Sequence, residues 1–224
     1  MDATGLATIG SIGFVLGFRH AFEPDHLAAV STLATRQGGV RDVLRLGVAW
    51  GAGHTASVAL VVLLLLTADV RLPDALLPFA ELLVATLLIG LGAGVLVREA
   101  RRHVRAFGEA HRRAHAEHAP HQHVPPLRDA GRSLGFGLAH GLAGSGAVMV
   151  LLVATATTAA GRLAYLASFG AGTILGMLAA SAAVAAAVRA ASGRSTVWAH
   201  RLHLTAAAAS VVIGFLLGVE AVAF

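Results

Sequence analysis

The stretch Val58–Leu66 reads VALVVLLLL, and a second long run, Leu82–Leu91, also contains no charged residue. Hydrophobic residues make up 56% of the 224-residue chain and charged residues only 13%. A soluble domain carries roughly 25% charged residues, so most of this surface is not solvated by water. Because lipid offers no partner for backbone groups, apolar spans of this kind must be helical. The sequence therefore predicts an all-α, polytopic membrane protein.

Six apolar segments are long enough to cross a hydrocarbon core of about 30 Å as helices that rise about 1.5 Å per residue. The predicted spans are Thr4–Leu33, Val43–Thr67, Ala75–Val97, Ser133–Thr158, Leu163–Val188 and His203–Phe224. The first span carries a polar cluster in its middle. The N-terminus lacks the basic region of a signal peptide, which favours a retained first span.

The basic residues predict the orientation. All 17 are Arg, and fourteen of them follow spans one, three and five. Cytoplasmic loops carry such an excess, so both termini are predicted outside a bacterial-type inner membrane. The net charge of +5 does not indicate nucleic-acid binding, since aromatic residues form only 5% of the chain and offer no stacking platform.

Short motifs recur in the two halves of the chain. The matched pairs are Gly17–His20 with Gly137–His140, Trp50–Gly53 with Phe169–Gly172, and Ile89-Gly90 with Ile213-Gly214. Two halves of three spans each must insert in opposite directions, which is the inverted-repeat plan of many transporters. The predicted organisation is a three-helix repeat over residues 1–97, a cytoplasmic loop over 98–131 and a second three-helix repeat over 132–224.

The polar cluster of the first span is Arg19–His26, which reads RHAFEPDH. Ionisable groups inside a membrane are costly and therefore functional by default. On an ideal helix His20, Glu23 and His26 share one face, and two imidazoles with a carboxylate suit a borderline divalent cation. Pro24 predicts a kink that exposes the His20 carbonyl and turns Asp25 inward. The alternative is an interfacial helix that the cluster merely caps.

Two further histidines lie beside glycines in predicted spans, His54 in span two and His140 in span four. Both are candidate metal ligands, with packing histidines as the alternative. The chain has no Cys, which excludes thiolate sites and iron–sulfur clusters. No prosthetic group is predicted.

The loop between the halves is rich in histidine. Its members are His103, His111, His115, His118, His121 and His123. Such tracts bind metals weakly by composition, and a solvated linker with incidental histidines is the alternative.

Together, the residues Arg19–His26 and Gly51–Thr55 resemble the nickel/cobalt transporter (NiCoT) family and its shorter urease-accessory-type relatives. The signature is a His, four residues, then Asp-His within a membrane helix. The resemblance implies that His20, Asp25 and His26 select the metal and that His54 assists. Glu23 and Pro24 depart from the family pattern, and the chain has six predicted spans where typical members have eight.

The favoured interpretation is a membrane transporter that takes up nickel or cobalt, with Ni²⁺ or Co²⁺ as substrate. No nucleotide-binding glycine loop or paired nucleophile and base indicates an enzyme or an ATP-driven pump. The alternatives are an efflux protein, an intramembrane metallohydrolase with Glu23 as general base, and an accessory protein that delivers metal without transport. The predicted partners are the metal ion and the lipid bilayer; nickel-enzyme maturation proteins and a homo-oligomer are left open.

Overall fold

The computed structural model describes residues 3–34, 40–68, 77–112, 130–142 and 158–223, and this part of the chain is helical without strands. Seven helices follow one another along it. They are α1 (Ala3–His20), α2 (Pro24–Ala34), α3 (Val40–Ala68), α4 (Leu77–Arg112), α5 (residues 130–142), α6 (Ala159–Arg194) and α7 (Thr196–Ala223). The all-helical prediction is confirmed.

Four helices, α3, α4, α6 and α7, are long and apolar enough to cross a membrane. The α1–α2 pair counts as a fifth span if its bend of 54° lies within the bilayer. Residues 143–157 of the predicted fourth span lie outside the described residues. Large apolar side chains point outward from these helices, such as Phe215 at 63% and Leu216 at 60% exposure. An apolar outer surface of this extent fits a multi-pass membrane protein.

The first predicted span is broken rather than simply kinked. The N–H groups of Phe22 and Glu23 donate to the carbonyls of Arg19 and His20, at 2.9 and 3.0 Å, which tightens the end of α1. The His20 carbonyl is therefore paired, and the prediction that it is exposed was wrong. Pro24 opens α2 as its first residue, a position where the missing N–H costs no helical hydrogen bond.

Several helices extend further than the sequence predicted, and α6 does so at both ends, since it runs from Ala159 to Arg194 rather than from Leu163 to Val188. α4 continues past Val97 to Arg112, into the segment assigned to a loop, and includes the backbone of His103 and His111. The other four histidines of that segment lie outside the described residues. α7 begins at Thr196, well before His203, because Ser195 interrupts the chain after α6 and its hydroxyl accepts the N–H of Trp198 at 3.3 Å.

Glycines set the closest helix contacts. Gly17 of α1 lies against the Phe169 carbonyl of α6, and Gly137 of α5 lies against the Trp50 carbonyl of α3. A Cβ at either glycine would collide with that carbonyl, so only glycine permits these approaches. The two contacts are equivalent under the sequence repeat, since Gly137 is the counterpart of Gly17 and Phe169 that of Trp50.

The order in which residues of two neighbouring helices meet gives the relative direction of those helices. Gly13 meets Tyr165 and Gly17 meets Phe169, so α1 runs parallel to α6. Gly47 of α3 meets Ser181, whereas Thr55 meets Gly170, so α3 runs antiparallel to α6.

The remaining pairs follow the same scheme, since α5 runs parallel to α3 and α4 antiparallel to α7. The contacts that show this are Gly53 with Leu134, Gly141 with Ser57, Gly92 with Ala207 and Gly214 with Ala85. Among the described helices, α1 therefore runs antiparallel to α5, as α3 does to α6 and α4 to α7.

The glycine contacts between α4 and α7 pair residues of these two helices at a different offset from the one that the sequence motifs predicted. Gly92 lies against the Ala207 carbonyl and Gly214 against the Ala85 carbonyl, a reciprocal pair at an offset of 122 residues. Gly90, which the sequence matched to Gly214, has no neighbouring atom of the described residues within 4 Å of the position its Cβ would take. The contacts therefore align Gly214 with Gly92.

Candidate metal centre

The break between α1 and α2 brings a carboxylate against the first histidine. His20 is the last residue of α1, and its Nδ1 lies 2.9 Å from Glu23 Oε2. The Glu23 side chain is 49% exposed, whereas that of His20 is only 15% exposed. Glu23 therefore occupies the accessible rim of the site and fixes the His20 ring, which leaves the Nε2 of His20 for other partners.

Asp25 joins two histidines from different helices. Its Oδ1 lies 3.2 Å from Nδ1 of His26 and also accepts the backbone N–H of His26 at 2.9 Å. Its Oδ2 lies 3.0 Å from Nε2 of His140 on α5. Because α2 restarts at Pro24, Asp25 faces the interior, as the prediction of an inward turn required.

Close packing of α5 on α3 brings the two remaining histidines to the same place. Gly137 and Gly141 of α5 lie against the backbone of His54 on α3. As a result, Nε2 of His54 lies 3.3 Å from Nε2 of His20, and the rings of His54 and His140 are 5.7 Å apart.

His26 is the centre of the cluster. Its ring centroid lies 4.5 Å from that of His20, 5.2 Å from that of His54 and 4.3 Å from that of His140. His26 and His54 are fully buried and His140 is 3% exposed. Four imidazoles on α1, α2, α3 and α5 therefore form one buried group.

Two buried nitrogens of this group lack a hydrogen-bond partner among the described residues, Nε2 of His26 and Nδ1 of His54. Buried polar atoms are nearly always paired, so such atoms call for a ligand. Two imidazole nitrogens bound to one ion at about 2.0–2.1 Å lie about 2.9–3.4 Å apart. The 3.3 Å between the His20 and His54 nitrogens fits this spacing.

The possible ligand atoms fall into two overlapping sets. One set is His20, His26 and His54, and the other is Asp25, His26 and His140. Within each set the ligand atoms lie within 4.8 Å of one another. Imidazole and carboxylate together suit divalent first-row transition metals, whereas Mg²⁺ and Ca²⁺ prefer oxygen ligands alone.

A curated relative matches most of this chain. The urease accessory protein UreH of Bacillus sp. (strain TB-90) is 33% identical over 180 residues, which cover 80% of this chain and 76% of the relative. This protein belongs to the UreH family. The similarity supports the predicted NiCoT-type relationship.

Two other comparisons give no match for this UreH-family protein, one with protein-family models and one with solved structures. Its relative is named as an accessory protein and not as a catalytic enzyme.

The structure of this UreH-family protein brings all six sequence-predicted site residues into one region. Glu23, however, belongs to neither ligand set among the described residues, and it contacts the His20 ring instead. The predicted stripe of His20, Glu23 and His26 on one continuous helix was wrong, because the helix ends at His20.

The sequence prediction did not place Trp50 beside the UreH-family site. Its ring packs 5.7 Å from that of His140, and its buried Nε1 has no hydrogen-bond partner in the described part of the chain. The signal was present, because Trp50 precedes His54 by four residues and so lies on the same helix face.

Proposed function

We propose that this UreH-family protein transports nickel or cobalt ions into the cell across a bacterial-type inner membrane. The observation that carries this proposal is the buried cluster of His20, His26 and His54 with free nitrogens amid apolar helices. A cation site inside the membrane-spanning part of a protein is typical of an ion pathway. An inside-negative potential favours uptake by about 2.3 kcal/mol per charge per 100 mV.

The same proposal includes six spans in two inverted three-helix repeats. Reciprocal glycine contacts and the opposite directions of matched helices support it. His20 and His140 are counterparts in the two halves, and the cluster lies where those halves meet. Transporters built from inverted repeats hold their substrates at this interface.

A second candidate is delivery of the metal to nickel-enzyme maturation without transport. The name of the relative, a urease accessory protein, favours it. The geometry disfavours the metallohydrolase, since Glu23, the residue proposed as general base, is held by Nδ1 of His20.

Uptake of radioactive nickel at trace concentration separates these functions. Cells with the wild-type protein should accumulate nickel above empty cells, and His20→Ala should lower uptake about tenfold or more because a ligand is lost. The control is His200→Ala, since His200 lies at the start of α7 near Glu99.

Two other outcomes contradict uptake, and a third contradicts the assignment of the site. Accumulation below that of empty cells, restored by His20→Ala, would identify an exporter. Tight nickel binding by the purified protein without any change in cellular accumulation would identify the delivery protein. An equal loss of nickel uptake in His20→Ala and His200→Ala would show that the histidine cluster is not the transport site.

A further inference from the structure

We propose that the cluster holds two adjacent cation subsites and that the transported ion passes between them by exchanging ligands at His26. This inference rests on the proposed metal transport. The first subsite consists of His20, His26 and His54, and the second of Asp25, His26 and His140. The two differ in chemistry, because the first offers only imidazole and the second adds a carboxylate.

The ring of His26 connects the subsites through its two nitrogens. Its Nδ1 lies 3.2 Å from Asp25 Oδ1, and its Nε2 has no partner among the described residues. The ring is fully buried, and its centroid lies 4.5 Å from that of His20 and 4.3 Å from that of His140. An ion bound to one nitrogen of this ring is therefore separated from the ligands at the other nitrogen by the width of one imidazole ring.

The spacing of the second set already fits an ion. Asp25 Oδ1 lies 3.2 Å from His26 Nδ1, and Asp25 Oδ2 lies 3.0 Å from His140 Nε2. Ligands about 2.0–2.2 Å from one ion lie about 3 Å apart. A cation that replaces the two hydrogen bonds would thus need little movement of the three side chains.

Proton balance is simple. With the ion on Nε2, His26 keeps its proton on Nδ1, where it donates to Asp25. With the ion on Nδ1, the proton resides on Nε2, and the His140 proton moves from Nε2 to Nδ1. Each ring keeps one proton in either state, so both rings stay neutral. The carboxylate offsets one charge of the divalent ion in the second subsite.

The solvent exposure of the side chains is consistent with an ion that passes through both subsites. Each set has one partly exposed member, His20 at 15% in the first and Asp25 at 20% in the second. The shared ligand between them, His26, is fully buried. An ion path needs sites that bind firmly enough to admit the ion and weakly enough to release it, and neighbouring sites meet both demands.

The test uses the full-length protein in nanodiscs with Ni²⁺ alone, and cells for uptake. His140→Gln keeps a donor for Asp25 but removes a ligand of the second subsite. We expect high-affinity binding and the imidazole count from X-ray absorption to stay unchanged, while uptake falls about tenfold or more. If His140→Gln does not fold, Asp25→Asn is the second variant, because it removes the carboxylate but keeps a hydrogen-bond acceptor for His26. We expect uptake to fall in the same way and the imidazole count to stay unchanged, with at most a small loss of affinity.

His54→Gln removes a ligand of the first subsite instead. We expect weaker binding, and X-ray absorption of the remaining bound nickel should show fewer imidazoles and a carboxylate oxygen. His200→Gln serves as the matched control and should leave binding and uptake unchanged.

Two results would overturn the subsite pair. The first is nickel uptake by His140→Gln at the wild-type level, which would show that His140 serves only as a hydrogen-bond donor to Asp25. The second is an equal loss of binding in His140→Gln and His54→Gln, which would indicate one site with all ligands. The wild-type protein could also show both ligand sets by X-ray absorption and yet transport no nickel. This result would contradict the transport function but would support the two subsites.

Discussion

At the scale of single residues, the carboxylates and the histidines of the cluster have different roles. Glu23 lies against Nδ1 of His20 and Asp25 against Nδ1 of His26, and Nε2 of His20 lies 3.3 Å from Nε2 of His54. A carboxylate behind an imidazole fixes the ring and raises its basicity as a ligand. The acidic residues of the signature thus act partly through the histidines.

Glu23 tests this division. Glu23→Gln keeps the size and an acceptor for His20 Nδ1, whereas Glu23→Leu removes the acceptor. We expect nickel affinity to fall about tenfold in Glu23→Leu and clearly less in Glu23→Gln. Titration calorimetry on the purified protein measures both. An equal, complete loss of binding in the two variants would instead make Glu23 a direct ligand.

At the scale of the helices, the site depends on how closely α5 approaches α3. Gly137 has the Trp50 carbonyl and the His54 N–H where its Cβ would be. At Gly135, two residues earlier, no neighbouring atom in the described part of the chain lies within 4 Å of the Cβ position. The two glycines differ only in the face of α5 that they occupy, so they form a matched pair.

Gly137→Ala should push α5 away from α3 and lower the free energy of unfolding by about 1–3 kcal/mol, the range for overpacking. It should also weaken nickel binding, because His140 moves with the helix. Gly135→Ala should be neutral or stabilising by up to about 1 kcal/mol, since alanine favours helix. Thermal unfolding in detergent measures both, and equal behaviour of the two variants would contradict the packing.

At the scale of the whole molecule, the arginine distribution predicts a membrane topology that can be measured directly. The chain has no Cys, so an introduced cysteine is the only reactive thiol. Thr4 and Arg101 are both exposed and lie on opposite sides of the membrane if both termini are outside.

Thr4→Cys should react with a membrane-impermeant maleimide in intact cells, and Arg101→Cys only after permeabilisation. The physical basis of this expectation is the clustering of arginine beyond Val97, which predicts a cytoplasmic position for that end of α4. Labelling of both cysteines from the same side would contradict the predicted orientation.

The sequence by itself determined the helical membrane class and the inclusion of His20, Asp25 and His26 in one polar cluster, because apolar run length and local spacing are properties of the chain. Tertiary structure alone decided that His54 and His140 join them and that Glu23 stays at the rim. Those distances depend on how closely helices distant in sequence pack, and this is set by where glycine meets a neighbouring backbone, as at Gly137 on Trp50.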